Sequence, residues 1–282
     1  MTKISSRFLL ALLAVAFCFA EAENNSWAYV PPAGFLVKTL AKKHTGYKRI
    51  RIKSEIVALD KTGQPTGSRF RELLIYTPST GILRSTASDE AGTPVYESTK
   101  SERSASVAAR LLLESRSASL VEALRAIGLK IPTESELEKM ATEDERRAAE
   151  NEHMGRLDHS IAFVVGPADG AKSELWFDKE AFLPIRLVGA FRKGDSSIND
   201  IRYSGFRNYN EFPYPKNVIW MTATGTPVLR AEAIEVGAES GSNPAAEREH
   251  TPQHVGEGWT DKGQSADSGL KDLIGSYYSI LR

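Results

Sequence analysis

The sequence predicts an α+β fold in which an antiparallel sheet carries a helical insertion. Segments with apolar residues at every second position occur on both sides of the chain's middle, which indicates strands. The turns between these segments are short and rich in Gly, Pro, Asn and Asp, and short turns join strands in antiparallel order. Residues 104–130 instead carry apolar side chains at helical spacing, so this middle segment predicts one or two helices.

The first group of strand signals follows a predicted short helix at residues 31–44, which begins with two prolines. Ile50, Ile52 and Ile56 alternate with charged residues, which is the pattern of a half-buried strand. The predicted strands of this group cover residues 47–58, 69–77, 82–88 and 92–100.

The second group of strand signals follows a charged segment at residues 133–154, which predicts a solvated helix or a flexible excursion. Leu183, Ile185 and Leu187 show the period of two clearly. No helical pattern separates the members of this group, so we expect an antiparallel meander. The predicted strands cover residues 158–166, 173–178, 183–192, 198–208, 217–224 and 228–236.

The chain begins with the pattern of an export signal. Residues 1–22 have a basic start, a continuous apolar run at residues 8–20 and a terminal Ala-Glu-Ala. This pattern predicts a signal peptide cleaved after Ala22. The apolar run is shorter than the roughly 18 to 20 residues that a membrane-spanning helix needs.

The end of the chain differs from the strand region. Residues 238–268 contain few large apolar side chains and predict a flexible tail. Residues 269–282 have apolar side chains at helical spacing, and a helix this short has to dock on another surface. The main domain is therefore expected at residues 23–237, with the helical insertion at about 104–154.

The chain has no formal net charge, because it contains 36 Lys and Arg residues and 36 Asp and Glu residues. A neutral chain has no long-range field that attracts phosphate backbones, so we expect no nucleic-acid partner. Its single cysteine, Cys18, lies in the predicted signal peptide. We therefore expect a periplasmic protein without disulfides, cysteine nucleophiles or a transmembrane segment after cleavage.

The sequence shows no nucleophile elbow, metalloprotease helix or dinucleotide-binding glycine pattern. His250 and His254 stand among glutamates, a suitable metal-ligand set, but Pro252 interrupts the helix that would align them. A polar tail that contains histidines by chance is the alternative.

Asp178 and Glu180 form an acidic pair, yet Asp-Lys-Glu-Ala between two strands is the composition of a hairpin turn. We expect no catalytic residue, cofactor or metal ion.

The motifs of the second strand group, taken in order, resemble a known superfamily. The first motif reads W-x-D-x-x-x-x-L-P-x-R, and it is followed by a strand, a proline-containing link and a closing strand. The matching segments are residues 175–187, 200–207, 212–216 and 228–236. They are similar to the periplasmic outer-membrane lipoprotein-sorting superfamily, which includes the carrier LolA, the receptor LolB and the sensor RseB. Residues 35–88 share the likeness in part.

This resemblance implies a half-barrel, which is a strongly curved antiparallel sheet whose concave face is covered by helices and holds acyl chains. The residues expected to line that face and bind the ligand are Ile75, Tyr76, Trp176, Leu187 and Trp220. In the carrier, an Arg-Pro pair ends the second strand and is tied to gating of the cavity. The matching residues here are Thr77 and Pro78, so we do not expect the same gate.

The function that the resemblance implies is noncovalent binding and carriage of an acyl chain, a lipid or a lipoprotein in the periplasm. One alternative is a regulatory or structural protein that uses the same scaffold to bind another envelope protein, without lipid transport. An exported hydrolase is the third class. The presence of lipid in the purified protein separates the first two.

Overall fold

The computed structural model describes residues 29–132, 134–140, 142, 152–167, 173–189, 199–241 and 268–282. The predicted signal peptide at residues 1–22 lies outside the described residues. Most of the predicted tail at residues 238–268 and of the charged segment at residues 133–154 also lies outside them. The elements that follow belong to one compact unit, Pro31–Arg282.

The helices lie before, within and after the strand region. The described α-helices are α1 (Ala33–Lys43), α2 (Val107–Leu113), α3 (Ser117–Ala126), α4 (Glu134–Glu138) and α5 (Ser268–Ile280). A single 3₁₀ turn, Glu102–Ser104, precedes α2. Ser106 caps α2, because its hydroxyl oxygen accepts a hydrogen bond from the Ala109 amide.

The strands divide into two groups on either side of these central helices. The first group is β1 (Tyr47–Leu59), β2 (Pro65–Thr77), β3 (Ile82–Ser88) and β4 (Pro94–Ser101). The second group is β5 (Glu152–Leu157), β6 (Ser160–Val165), β7 (Glu174–Asp178), β8 (Pro184–Gly189), β9 (Asn199–Ser204), β10 (Arg207–Tyr209), β11 (Phe212–Tyr214), β12 (Asn217–Thr222) and β13 (Pro227–Ser240).

Eleven of the described strands form one sheet in the order β4-β3-β2-β1-β13-β12-β9-β8-β7-β6-β5. Every pairing in it is antiparallel. The long strand β13 joins the two groups, since it pairs with β1 on one side and with β12 on the other. Within the described chain, β4 and β5 remain as edges, so the sheet does not close into a barrel.

The sheet curves around its helices. Ser54 of β1 and Tyr203 of β9 are three strands apart, about 14 Å at the usual strand spacing, yet both line one small cavity beneath α2 and α5. Register shifts interrupt several strand pairs, including β1 with β13 at Lys53 and Ser54. Such bulges bend and twist a sheet. The predicted α+β fold with a curved, helix-covered antiparallel sheet is confirmed.

Some local predictions differ from the structure, for example where β13 continues to Ser240 into the predicted tail. Residues 152–154 were expected in the charged excursion, but they begin β5, an edge strand with little need for large apolar residues. Residues 198–208 were expected as one strand. They contain β9 and the separate strand β10, which are divided at Gly205, a residue with φ of 65°.

Candidate functional site

One face of the sheet lies under the helices, and we call it the covered face. On β2 it carries Phe70, Glu72, Leu74 and Tyr76, which alternate with residues of the opposite, outer face. Their register partners on β1 share this face, because directly paired residues of antiparallel strands point to the same side. These partners are Ile56, Ser54, Ile52 and Ile50, all of which are buried.

The covered face continues beyond β1 across β13, β12, β9 and β8. One row of register partners runs from Ala58 through Leu229, Trp220, Ile201 and Leu187. Leu229, Ile201 and Leu187 are completely buried, and Trp220 is half-buried. This row makes the covered face apolar over five neighbouring strands.

Helix α5 packs on the covered face above β2 and β4. The Tyr277 ring meets the Phe70 ring edge-on, with 5.4 Å between the ring centroids. The Tyr278 ring lies 4.3 Å from the ring of Tyr96 on β4 by the same measure. The residues that α5 buries are Leu273, Ile274, Tyr277, Tyr278 and Ile280.

A charged anchor ties the end of α5 to the sheet. The Tyr277 hydroxyl donates to Glu72 Oε2 at 2.6 Å, and Arg282 Nη2 donates to the same oxygen at 2.8 Å. Arg282 Nε lies 3.1 Å from both carboxylate oxygens. Burial is the largest single influence on the pKa of Arg282 and lowers it, but the Glu72 carboxylate and the Tyr277 and Tyr214 hydroxyls together raise it by more, so the net shift is upward. Arg282 is therefore held as a cation beside the Glu72 carboxylate in an apolar setting.

The space left between α5 and the sheet is small. The cavity there has a volume of about 10 Å³, close to what one water molecule needs. Its walls include Ser54, Tyr203, Val218, Tyr277 and Arg282. An acyl chain does not fit beside α5, so α5 and such a ligand exclude each other from this part of the face.

A second buried polar cluster closes the covered face near α2. The Tyr76 hydroxyl donates to Glu102 Oε2 at 2.7 Å, and Arg116 donates to the other oxygen of Glu102. Burial, followed by the Glu102 charge, raises the pKa of the Tyr76 hydroxyl strongly. The Tyr76 hydroxyl thus makes a structural hydrogen bond, and its side chain lies on the covered face.

His44 connects α1 to the rest of the helical cover. Its Nδ1 lies 3.2 Å from the Glu114 carbonyl oxygen, and its ring packs 5.5 Å from the Phe212 ring centroid. Burial, with a smaller contribution from the Lys43 charge, lowers the pKa of His44 to about 3. The imidazole is therefore neutral near pH 7.

The five predicted ligand-binding residues do not share one face. Tyr76, Leu187 and Trp220 belong to the covered face, as the register rows show. Ile75 and Trp176 lie on the outer face, away from the other three. The segments of β2 and β7 around these two residues are apolar at consecutive positions. In such a strand, the register of pairing determines which side faces the helices, and the sequence pattern does not define that register.

Trp176 takes part in a polar cluster on the outer face. Its Nε1 donates to Glu174 Oε2 at 2.8 Å, and the Arg186 guanidinium lies 5.3 Å from its ring centroid. Arg186 also pairs with Asp200, with 3.0 Å between Nη2 and Oδ2. A tryptophan held between ionic side chains in this way stabilises the pairing of β7 and β8.

The acidic pair of the sequence forms a turn. Asp178 Oδ1 accepts hydrogen bonds from the amides of Glu180 and Ala181, as the predicted hairpin composition requires.

In the part of the chain that the structure describes, no three His, Cys, Asp or Glu residues lie close enough to hold a metal ion. His250 and His254 are outside it. None of the described helices has the length and apolar character needed to cross a membrane.

Comparisons with known proteins find likeness in structure alone. No family model matches the chain, and no curated protein matches it either. A domain assigned as an outer membrane lipoprotein-sorting protein, from Vibrio parahaemolyticus, has a TM-score of 0.42 and 10% identity, over 74% of this chain and 92% of that chain. A LolA superfamily protein from Nitrosomonas europaea has a TM-score of 0.43 and 10% identity, over 73% and 93%.

The solved structures also include MucB in complex with MucA(peri). Its TM-score is 0.27 and its identity 11%, over 75% of this chain and 60% of that chain. The Vibrio and Nitrosomonas proteins are of the kind that the sequence motifs resemble.

The charged anchor was not among the predicted site residues. Glu72 has the same strand parity as Phe70, Leu74 and Tyr76, so these four residues share one face of β2. A charge on a face that packs against helices is rarely left without a partner. The strand pattern does not define which face of β2 that is, and it gives no sign of the partner Arg282, 210 residues away.

Proposed function

We propose that the protein is a noncovalent binding protein, a periplasmic carrier of an apolar chain such as the acyl chain of a lipid or lipoprotein. The ligand occupies the covered face in place of α5. One observation carries this proposal. The covered face is apolar and curved, and the part over β2 is covered by α5, which is held by side-chain packing and by its bonds to Glu72.

The short length of α5 supports this view. A helix of 13 residues is marginal in water, so α5 and the covered face stabilise each other. A ligand that covers the same apolar side chains competes directly with α5.

The energetics favour a chain-like ligand. Each buried methylene contributes about 0.8 kcal/mol, so a chain of about ten carbons contributes roughly 8 kcal/mol before the costs of association and of displacing α5. This binding needs no covalent chemistry.

Titration with N-phenyl-1-naphthylamine, an uncharged apolar fluorescent probe, tests the proposal. We expect saturable binding by the wild type and several-fold tighter binding by Tyr277→Phe, which loses only the hydroxyl bond to Glu72. Lys53→Gln is the matched control, because it removes an ion pair with Glu235 away from the covered face. Absence of saturable binding by both the wild type and Tyr277→Phe contradicts the proposal.

A second function has support from α5 itself. Its buried residues follow helical spacing, so the covered face already accommodates an amphipathic helix. A helix of another envelope protein, which binds there in place of α5, is the regulatory alternative. Mass spectrometry of an organic extract of the purified protein separates the two, because only the carrier is expected to contain lipid.

Export to the periplasm is part of the proposal and rests on the sequence of residues 1–22. Intact-mass measurement on protein from the periplasmic fraction is expected to give a chain that starts at Glu23. A retained Met1 contradicts this expectation.

A further inference from the structure

The Glu72 carboxylate lies in a largely apolar part of the covered face and is paired with Arg282. Its neighbours on β2 and β1 include Phe70, Leu74, Ile52 and Ile56, and it is only 2% exposed. Its carboxylate accepts hydrogen bonds from Tyr277 and Arg282. Within the described strands, no cationic side chain of the sheet pairs with this carboxylate.

A ligand that takes the place of α5 therefore meets an unpaired carboxylate. A buried charge without a partner is strongly unfavourable, and an anionic group placed beside it is repelled. A cationic group at the same place restores the charge-assisted hydrogen bonds that Arg282 provides. The covered face thus distinguishes ligands by the charge that they bring to Glu72.

The surroundings of Arg282 fit a cationic head group. The guanidinium lies 5.2 Å from the Tyr277 ring centroid, and Tyr214 lines the same cavity as Arg282. Tyr203 lines the same cavity, is 2% exposed, and its hydroxyl has no hydrogen-bond partner among the described residues. This buried hydroxyl is an additional polar group that is available to a ligand.

We propose that Glu72 selects the head group of the ligand, so that the covered face binds an apolar chain carrying a cationic head. Arg282 occupies the head-group position when α5 is docked, and the side chains of Tyr277 and Leu281 lie beside it on the cavity wall. This inference rests on the function proposed above, because it specifies the ligand of the same face.

Two amphiphiles with the same twelve-carbon chain test the head-group selection: dodecylammonium and dodecanoate, below their micelle concentrations. Binding is measured by displacement of N-phenyl-1-naphthylamine from the full-length protein at low ionic strength. Arg282→Gln frees the carboxylate, and we expect it to bind dodecylammonium at least about tenfold more tightly than dodecanoate. Glu72→Gln breaks the same ion pair but removes the carboxylate, so we expect it to bind the two amphiphiles within about threefold of each other.

The pair of variants separates the inference from the function on which it rests. Saturable binding of both amphiphiles by Arg282→Gln without preference overturns head-group selection and leaves an apolar binding face. A preference that persists in Glu72→Gln also overturns it. If no variant binds the probe or either amphiphile, the proposed function itself fails.

Folding is checked for each variant by circular dichroism, with Lys53→Gln as the ion-pair control from outside the covered face. If Arg282→Gln does not fold, Tyr277→Phe provides the same comparison, since it keeps both charges and loses one bond to Glu72. We expect Tyr277→Phe to show the cation preference, and equal affinities overturn the inference.

Discussion

Arg282 and Glu72 form a buried ion pair, with 2.8 Å between Nη2 and Oε2 and 210 residues of sequence between them. The Glu72 side chain has no exposed surface, and that of Arg282 is 6% exposed. Removing one partner leaves the other charge buried and alone. This pair therefore ties the end of α5 to β2, and the loss of either partner is expected to destabilise the protein.

We predict that Glu72→Gln and Arg282→Gln each lower the free energy of unfolding by about 3 to 5 kcal/mol. The double variant is expected to lose much less than the sum, because it buries no unpaired charge. Urea denaturation of the four proteins in a double-mutant cycle measures the coupling. Losses below about 1 kcal/mol for both single variants contradict a buried pair.

The stability of the protein is predicted to decrease in acid through His44. The pKa of this residue is about 3 in the folded protein and 6.5 for an unperturbed histidine, so between these values the unfolded chain binds a proton that the folded protein does not. The free energy of unfolding therefore falls as the pH drops below 6.5, by about 1.4 kcal/mol per pH unit from this group. Urea denaturation at several pH values measures the slope. His44→Gln lacks the titrating group, and an unchanged slope in that variant counts against the assignment.

Gly155 of β5 is predicted to tolerate no side chain. A Cβ atom there lies 2.6 Å from both Trp176 Cζ3 and Val164 Cγ2, which is too close for any real contact. We expect Gly155→Ala to lower the free energy of unfolding by about 1 to 3 kcal/mol. Gly237→Ala on β13 is the control, because nothing lies within 4 Å of its Cβ position. Equal effects of the two substitutions in urea denaturation refute this packing argument.

The division between the two faces predicts different effects for the two tryptophans. Trp220→Ala removes apolar surface from the covered face and is expected to weaken binding of N-phenyl-1-naphthylamine several-fold. Trp176→Ala changes the outer face and is expected to leave the affinity within about twofold. The measurement is the same titration, after the fold of each variant is confirmed. A larger loss with Trp176→Ala places the ligand on the outer face instead.

The strands and helices were largely predictable from local sequence. Ile50, Ile52 and Ile56 alternate with charged residues, and this alternation alone indicates a strand with one buried face. The spacing of Leu273, Ile274 and Tyr277 likewise indicates the helix at the end of the chain. Both patterns are local, because side-chain direction within one element follows from backbone geometry.

What the sequence by itself determined was therefore an antiparallel α+β protein with a terminal helix that needs a docking surface. Only the tertiary structure decided that Ile75 and Trp176 belong to the outer face, since register sets which side of an apolar strand the helices cover. It also decided that α5 docks on the covered face, where Arg282 neutralises Glu72. These two residues meet because β13 returns to pair with β1 and α5 packs across β2, and contacts between such distant segments leave no periodic pattern in either one.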